Sequence, residues 1–267
     1  MFHRSLTSVL LVTLLTLLLI QPLLAGGWTV VTLQDLPMQM QAEERLDVSF
    51  LVQQHGRHPL ELDDGEVIVR AWQPVSGETM QVVARATGAP GYYSAELIFP
   101  TGGVWHWEVR PGGFPAAAMP DLTVAPSAMQ PSAEMYDAAR QWGWWQQALF
   151  QMFSSLRRPS ETATAEAGIV GAADLTKDPV AYGKALFVAK GCVTCHVHAS
   201  VTAQFSVETG PNLTSYQVIP EYVSVWLRNP QSIKPDTQMP QLPLKAAEID
   251  ALIAFLSAGE HSRVGTK

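Results

Sequence analysis

From Trp28 to Ala125, apolar and polar residues alternate in short runs separated by turn residues, the period-two pattern of half-buried strands. The predicted strands are Thr29 to Leu33, Leu46 to Val52, Glu66 to Trp72, Met80 to Ala86, Tyr92 to Phe99, Val104 to Val109 and Leu122 to Val124. Between them fall Gly56 and Pro59, Asp63 to Gly65, Pro74 and Gly77, Gly88 to Gly91, Pro100 to Gly103 and Pro111 to Pro115. So many short strands in about a hundred residues point to an antiparallel β-sandwich of immunoglobulin-like type over residues 28–125. Its predicted core is Val48, Phe50, Val67, Val69, Val82, Tyr93, Leu97, Trp105 and Trp107.

After Ala125 the composition shifts to Ala, Ser, Pro, Gln and Glu, and residues 126–175 read as a linker. Within it, residues 132–158 predict one amphipathic helix. Ser132 caps it, Glu134 and Asp137 lie early and Arg157-Arg158 late, the charge order a helix dipole favours, and Pro159 stops it. Met135, Ala138, Ala139, Trp142, Trp145, Leu149, Met152, Phe153 and Leu156 form its apolar stripe. Such a stripe packs on its own chain or, through Trp142, Trp144 and Trp145, docks on a membrane protein or in the bilayer interface.

Residues 176–267 read as a second folded segment. Asp178 to Lys190 predicts a first helix with Pro179 in its opening turn, and Leu244 to Leu256, with Ile249, Leu252, Ile253 and Leu256 at helical spacing, predicts a last one ended by Gly259. The expected fold class is therefore multi-domain, an all-β sandwich followed by an all-α domain.

With 267 residues and 47% hydrophobic content, two domains plus a leader is the natural expectation. Charge is uneven: residues 28–125 carry five arginines, no lysine and twelve acids, while the chain from Leu175 onward is near neutral. Neither portion suits nucleic acid. Residues 1–27 combine a short basic start, an apolar run from Leu6 to Ile20 and a small-residue ending before Trp28. That is an export signal or, uncut, a membrane anchor. The protein is expected on the extracytoplasmic, periplasmic side, exported and membrane-associated.

The chemistry sits in Cys192-Val193-Thr194-Cys195-His196, the attachment pattern of a c-type haem, in which two thiols form thioethers and the histidine ligates the iron. Both cysteines of the chain lie in it. A redox Cys-x-x-Cys pair or half a zinc site is the alternative, but a βαβ context or a second ligand pair is not visible. For the opposite face of the iron, Met239 is the one methionine after Met152 and sits in the proline-bracketed Lys234-Pro235-Asp236-Thr237-Gln238-Met239-Pro240. His198 and His261 are weaker candidates.

From Asp178 onward the chain resembles a class I monohaem cytochrome c. The resemblance implies one covalently attached haem c, a crossing of the first and last helices where Gly183 and Phe187 meet Leu252 and Phe255, and a middle helix, Pro220 to Pro230, lining the pocket. It also implies that in Gly210-Pro211-Asn212-Leu213 the Pro211 carbonyl accepts a hydrogen bond from the His196 ring. Tyr222, Trp226 and Leu227 would then pack at the haem edge. The runs Gly91-Tyr92-Tyr93-Ser94-Ala95-Glu96-Leu97 and Gly103-Val104-Trp105-His106-Trp107-Glu108-Val109 resemble the YtkA-like and FixH-like extracytoplasmic domains of respiratory membrane proteins. Some small exported sandwiches bind copper, and His55, His58 and His106 with Met38, Met40 and Met80 are the residues that could do so here.

The expected function is single-electron transfer by a periplasmic cytochrome, not an enzyme by itself, held as a subunit of a respiratory or photosynthetic membrane complex with redox proteins as partners. The alternatives are a haem subunit of an oxidoreductase, or a copper-delivery or assembly factor working through the sandwich.

Overall fold

The structure is a computed structural model and describes residues 27–37, 40–63, 65–127 and 177–261. The leader and the tryptophan-rich segment 132–158 lie outside the described residues.

Two β-sheets face one another. In the first, β1 (Thr29–Leu33), β3 (Arg45–Gln54), β8 (Tyr92–Ile98) and β7 (Arg85–Ala86) pair in that order, with β4 (His58–Pro59) added on β3. The second runs β2 (Met40–Gln41), β11 (Leu122–Ala125), β9 (Gly103–Pro111), β5 (Val67–Trp72) and β6 (Thr79–Val83), with β10 (Ala117–Ala118) on β9. The sandwich expectation holds, with one departure from antiparallel pairing, β11 beside β2.

Alternation places the core. Val48, Phe50 and Val52 of β3 face Val67, Val69 and Ala71 of β5 and Trp105, Trp107 and Val109 of β9, all buried. The buried indoles donate to the Thr101 and Pro120 carbonyls at 3.0 and 2.7 Å, so neither hides an unpaired N–H. Met80 to Ala86 is not one strand. The chain leaves the second sheet after Val83 and joins the first at Arg85, with buried Ala84 at the crossing, its N–H on the Val67 carbonyl at 2.8 Å. Because inward positions continue through the crossing, the periodicity does not reveal the change of sheet.

β1 breaks the alternation: all five of its residues are buried. Val31 and Leu33 enter the sandwich core, while the other face lies under the helical domain. That domain comprises α1 (Pro179–Ala189), a 3₁₀ turn (Cys192–Thr194), α2 (Pro220–Arg228), α3 (Pro230–Ile233) and α4 (Ala246–His261). Asp178 caps α1, accepting from Val180 N and Ala181 N at 2.9 and 3.1 Å. The predicted middle helix is α2, which Asn229 ends, and the Asn229 side chain then caps the short α3 beyond it. Gly259 does not stop the last helix, which runs through it to His261. A lone glycine costs a helix about 1 kcal/mol, a penalty that packing offsets.

α1 and α4 cross at Gly183, where a Cβ would collide with the Ala251 carbonyl, and Phe187 meets Phe255 at 5.6 Å between ring centres. The predicted crossing is therefore present. At the end of α1, Lys190 is fully buried between the two domains. Its ammonium donates to Glu248 Oε1 at 2.9 Å, the Leu33 carbonyl at 3.0 Å and the Gln34 carbonyl at 2.9 Å, which uses all three of its protons. Lys245 and Asp35 form a second, exposed ion pair across the same junction.

Gly183→Ala should destabilise the helical domain by about 2 kcal/mol or more, since the methyl has nowhere to go. A lowered denaturant midpoint of the helical signal, with the sandwich's tryptophan signal unchanged, is the expected result.

Candidate haem site

The end of α1 aims the attachment residues. Gly191 adopts φ 75°, the left-handed conformation that lets the chain leave the helix sharply. It also lies against β1, where a Cβ would meet the Val31 carbonyl at 2.8 Å. The 3₁₀ turn follows at once, and Cys195 N and His196 N both donate to the Cys192 carbonyl, at 3.2 and 2.9 Å. Both thiols and the imidazole therefore emerge from a single compact turn.

The two cysteines are free and partly buried. Burial pushes the Cys192 thiol up to about 12, with the neighbouring Cys195 acting the same way. Cys195 is also raised by burial, against a hydrogen bond from Thr209. A thiol-exchange pair needs a depressed thiolate pKa, so the environment opposes the redox alternative.

His196 Nδ1 lies 2.9 Å from the Pro211 carbonyl. Because a carbonyl can only accept, Nδ1 carries the proton and Nε2 keeps its lone pair. Burial lowers the His196 pKa, and the Pro211 bond opposes it in part. The ring rests on Gly210, where any Cβ would overlap it. The stretch from Val197 to Thr209 folds back on the turn: Val207 N donates to Thr194 O at 2.8 Å and Gly210 N to Cys195 O at 2.9 Å.

Met239 is held from several directions. Trp226 Nε1 donates to its sulfur at 2.9 Å, Gln231 Nε2 to its carbonyl at 2.8 Å, and its own N–H reaches Thr237 Oγ1 at 3.2 Å. Met239 and Cys192 border the same apolar cluster, built on Leu186, Phe187 and Leu252. Tyr222 stands further out, 43% exposed and stacked on Trp226 at 6.0 Å. His198 is buried in the helix crossing, 4.4 Å from the Phe255 ring. Sequence reasoning did not find Lys190, Gln231 or Thr237, whose partners are remote or unspecific in type.

These residues fit a c-type haem: two unpaired thiols, an imidazole with a free Nε2, a presented thioether and an apolar cluster joining them. In the sandwich, His106 pairs with Asp121, Met40 is buried and Met80 packs against the core, while Met38 lies outside the described residues. Among the described residues no group of three or more His, Cys, Asp or Glu is placed to hold a metal ion.

Comparison with known proteins agrees with this division. Residues 180–260 match the family model of cytochrome c and residues 27–110 the YtkA-like model, so the chain carries a YtkA-like domain followed by a cytochrome c domain. No curated protein matches the chain. Among solved structures, the Lin-41 filamin domain is 16% identical at a TM-score of 0.28, over 37% of this chain and 90% of that one. A trypsin-activated alpha-2-macroglobulin from Escherichia coli is 14% identical at 0.29, over 37% of this chain and 7% of that one. A superoxide reductase (neelaredoxin) variant from Ignicoccus hospitalis is 13% identical at 0.26, over 39% and 83%. Likenesses this slight carry no functional argument.

Gly210→Ala should displace the His196 ring and lower haem content about tenfold, as loss of a ligand's supporting contact does. Haem per purified polypeptide, measured as the pyridine haemochrome, checks this.

Proposed function

We propose that the protein is an extracytoplasmic electron carrier with one haem c, held in fixed position within a respiratory or photosynthetic membrane complex, and that redox proteins are its partners. The cytochrome c domain makes it a haem protein of electron transfer, and domains of both families are typically extracytoplasmic. No helix among the described residues is long and apolar enough to cross a membrane. The apolar leader and the indoles of the tryptophan-rich segment suit attachment to a membrane or a complex.

The haem supplies a one-electron couple at its iron. Cys192 and Cys195 would carry the thioether links, and His196 Nε2 and Met239 Sδ would ligate the iron. A thioether beside the imidazole suits an iron that passes electrons, which favours electron transfer over the oxidoreductase alternative. The observation that carries this reading is the hydrogen bond from His196 Nδ1 to the Pro211 carbonyl, which commits the ring to present Nε2. Trp226, by donating to the Met239 sulfur, draws electron density from it and so favours the reduced state. Phe187 and Leu242, both buried, keep water from the apolar cluster.

Met239→Ala should abolish the near-infrared iron(III)–sulfur band and lower the reduction potential; an unchanged band would overturn the assignment. Trp226→Phe should keep the band and lower the potential by roughly 40 mV at most, the equivalent of one neutral hydrogen bond. Redox titration of the two variants beside the parent protein separates these outcomes.

A further inference from the structure

The sandwich meets the helical domain not only at Lys190 but also at the methionine loop. The turn between β3 and β4 is made by His55 at φ 52° and Gly56 at φ 68°, and His55 N donates to the Trp28 carbonyl at 2.9 Å. The His55 ring lies 5.4 Å from that of Trp28. Gly56 is buried, with space for a Cβ only 3.3 Å from Val30 Cγ2 and 3.6 Å from Pro240 Cγ. Beside it, Arg57 Nη2 donates to the Thr237 carbonyl at 3.2 Å. Thr237 in turn accepts the Met239 N–H on its hydroxyl. Thr237 and Pro240, on either side of Met239, are thus seated against a turn of the other domain.

We propose that the Gly56-Arg57 turn is a positioning element for Met239: the sandwich holds the methionine loop in place and sets how readily another ligand displaces the thioether. This rests on Met239 as an iron ligand. Trp226 and Gln231 hold the loop from its own domain, and Arg57 and Gly56 hold it from outside. Arg57 is exposed, so its removal leaves no buried vacancy and the fold stands.

The test is imidazole binding to the ferric full-length haem protein, followed through the iron(III)–sulfur band, in the parent, Arg57→Ser and Arg57→Lys. Arg57→Ser should bind imidazole about fivefold more tightly, the equivalent of one hydrogen bond lost from the closed loop. Arg57→Lys keeps a donor and the charge and should stay within about twofold of the parent. Near-ultraviolet circular dichroism of the sandwich tryptophans should be the same in all three. Equal imidazole affinity in the parent and Arg57→Ser overturns the positioning role while leaving the ligand assignment standing. A parent protein without the sulfur band overturns the ligand assignment itself and the positioning role with it.

Discussion

A lysine with no access to solvent governs how this molecule is put together. Lys190 is at the end of the helix that leads into the attachment turn, and its ammonium is satisfied only because each domain supplies acceptors: Glu248 from one, the Leu33 and Gln34 carbonyls from the other. An ammonium taken from water and left with one partner missing costs about 3–5 kcal/mol. The sandwich is therefore part of the environment that the helical domain requires. Glu248 is equally committed, since its second oxygen accepts from Lys245 N at 2.8 Å at the start of α4.

This arrangement gives the sandwich a physical role in a haem protein without asking it to bind anything. β1 lies against Gly191, one residue before the first attachment cysteine, and the β3–β4 turn lies against Pro240, one residue after Met239. The loop that carries Met239 is irregular backbone with no ladder of its own, and Cys192 begins a single 3₁₀ turn. A rigid sheet pressed against each of them supplies the missing restraint, and the charge at their junction is neutralised by pairing.

What was legible in the sequence was whatever depends on local spacing. Inward alternation named the sandwich core, and the helix crossing at Gly183 and Phe187 followed from the resemblance to class I cytochromes c. The pentapeptide at Cys192 announced its chemistry because the thioether links demand that spacing. The rest depended on partners far along the chain. Thr29 to Leu33 carries no sign that its second face is covered, Ala84 no sign that the strand changes sheets, and Lys190 reads as an ordinary solvated lysine at a helix end. His58 to Pro59 and Ala117 to Ala118 pair only because longer neighbouring strands offer them an edge.

Lys190 is 157 residues from Leu33 in the chain, and Glu248 belongs to the last helix. The ammonium therefore cannot give up its hydration until both ends of the described chain have arrived, one already folded as a sheet and the other as a helix. Closure of so long a loop is slow and comes after local structure. The junction therefore joins parts of the chain that only folded domains on both sides can bring together, and the turn that carries the cysteines is seated by it.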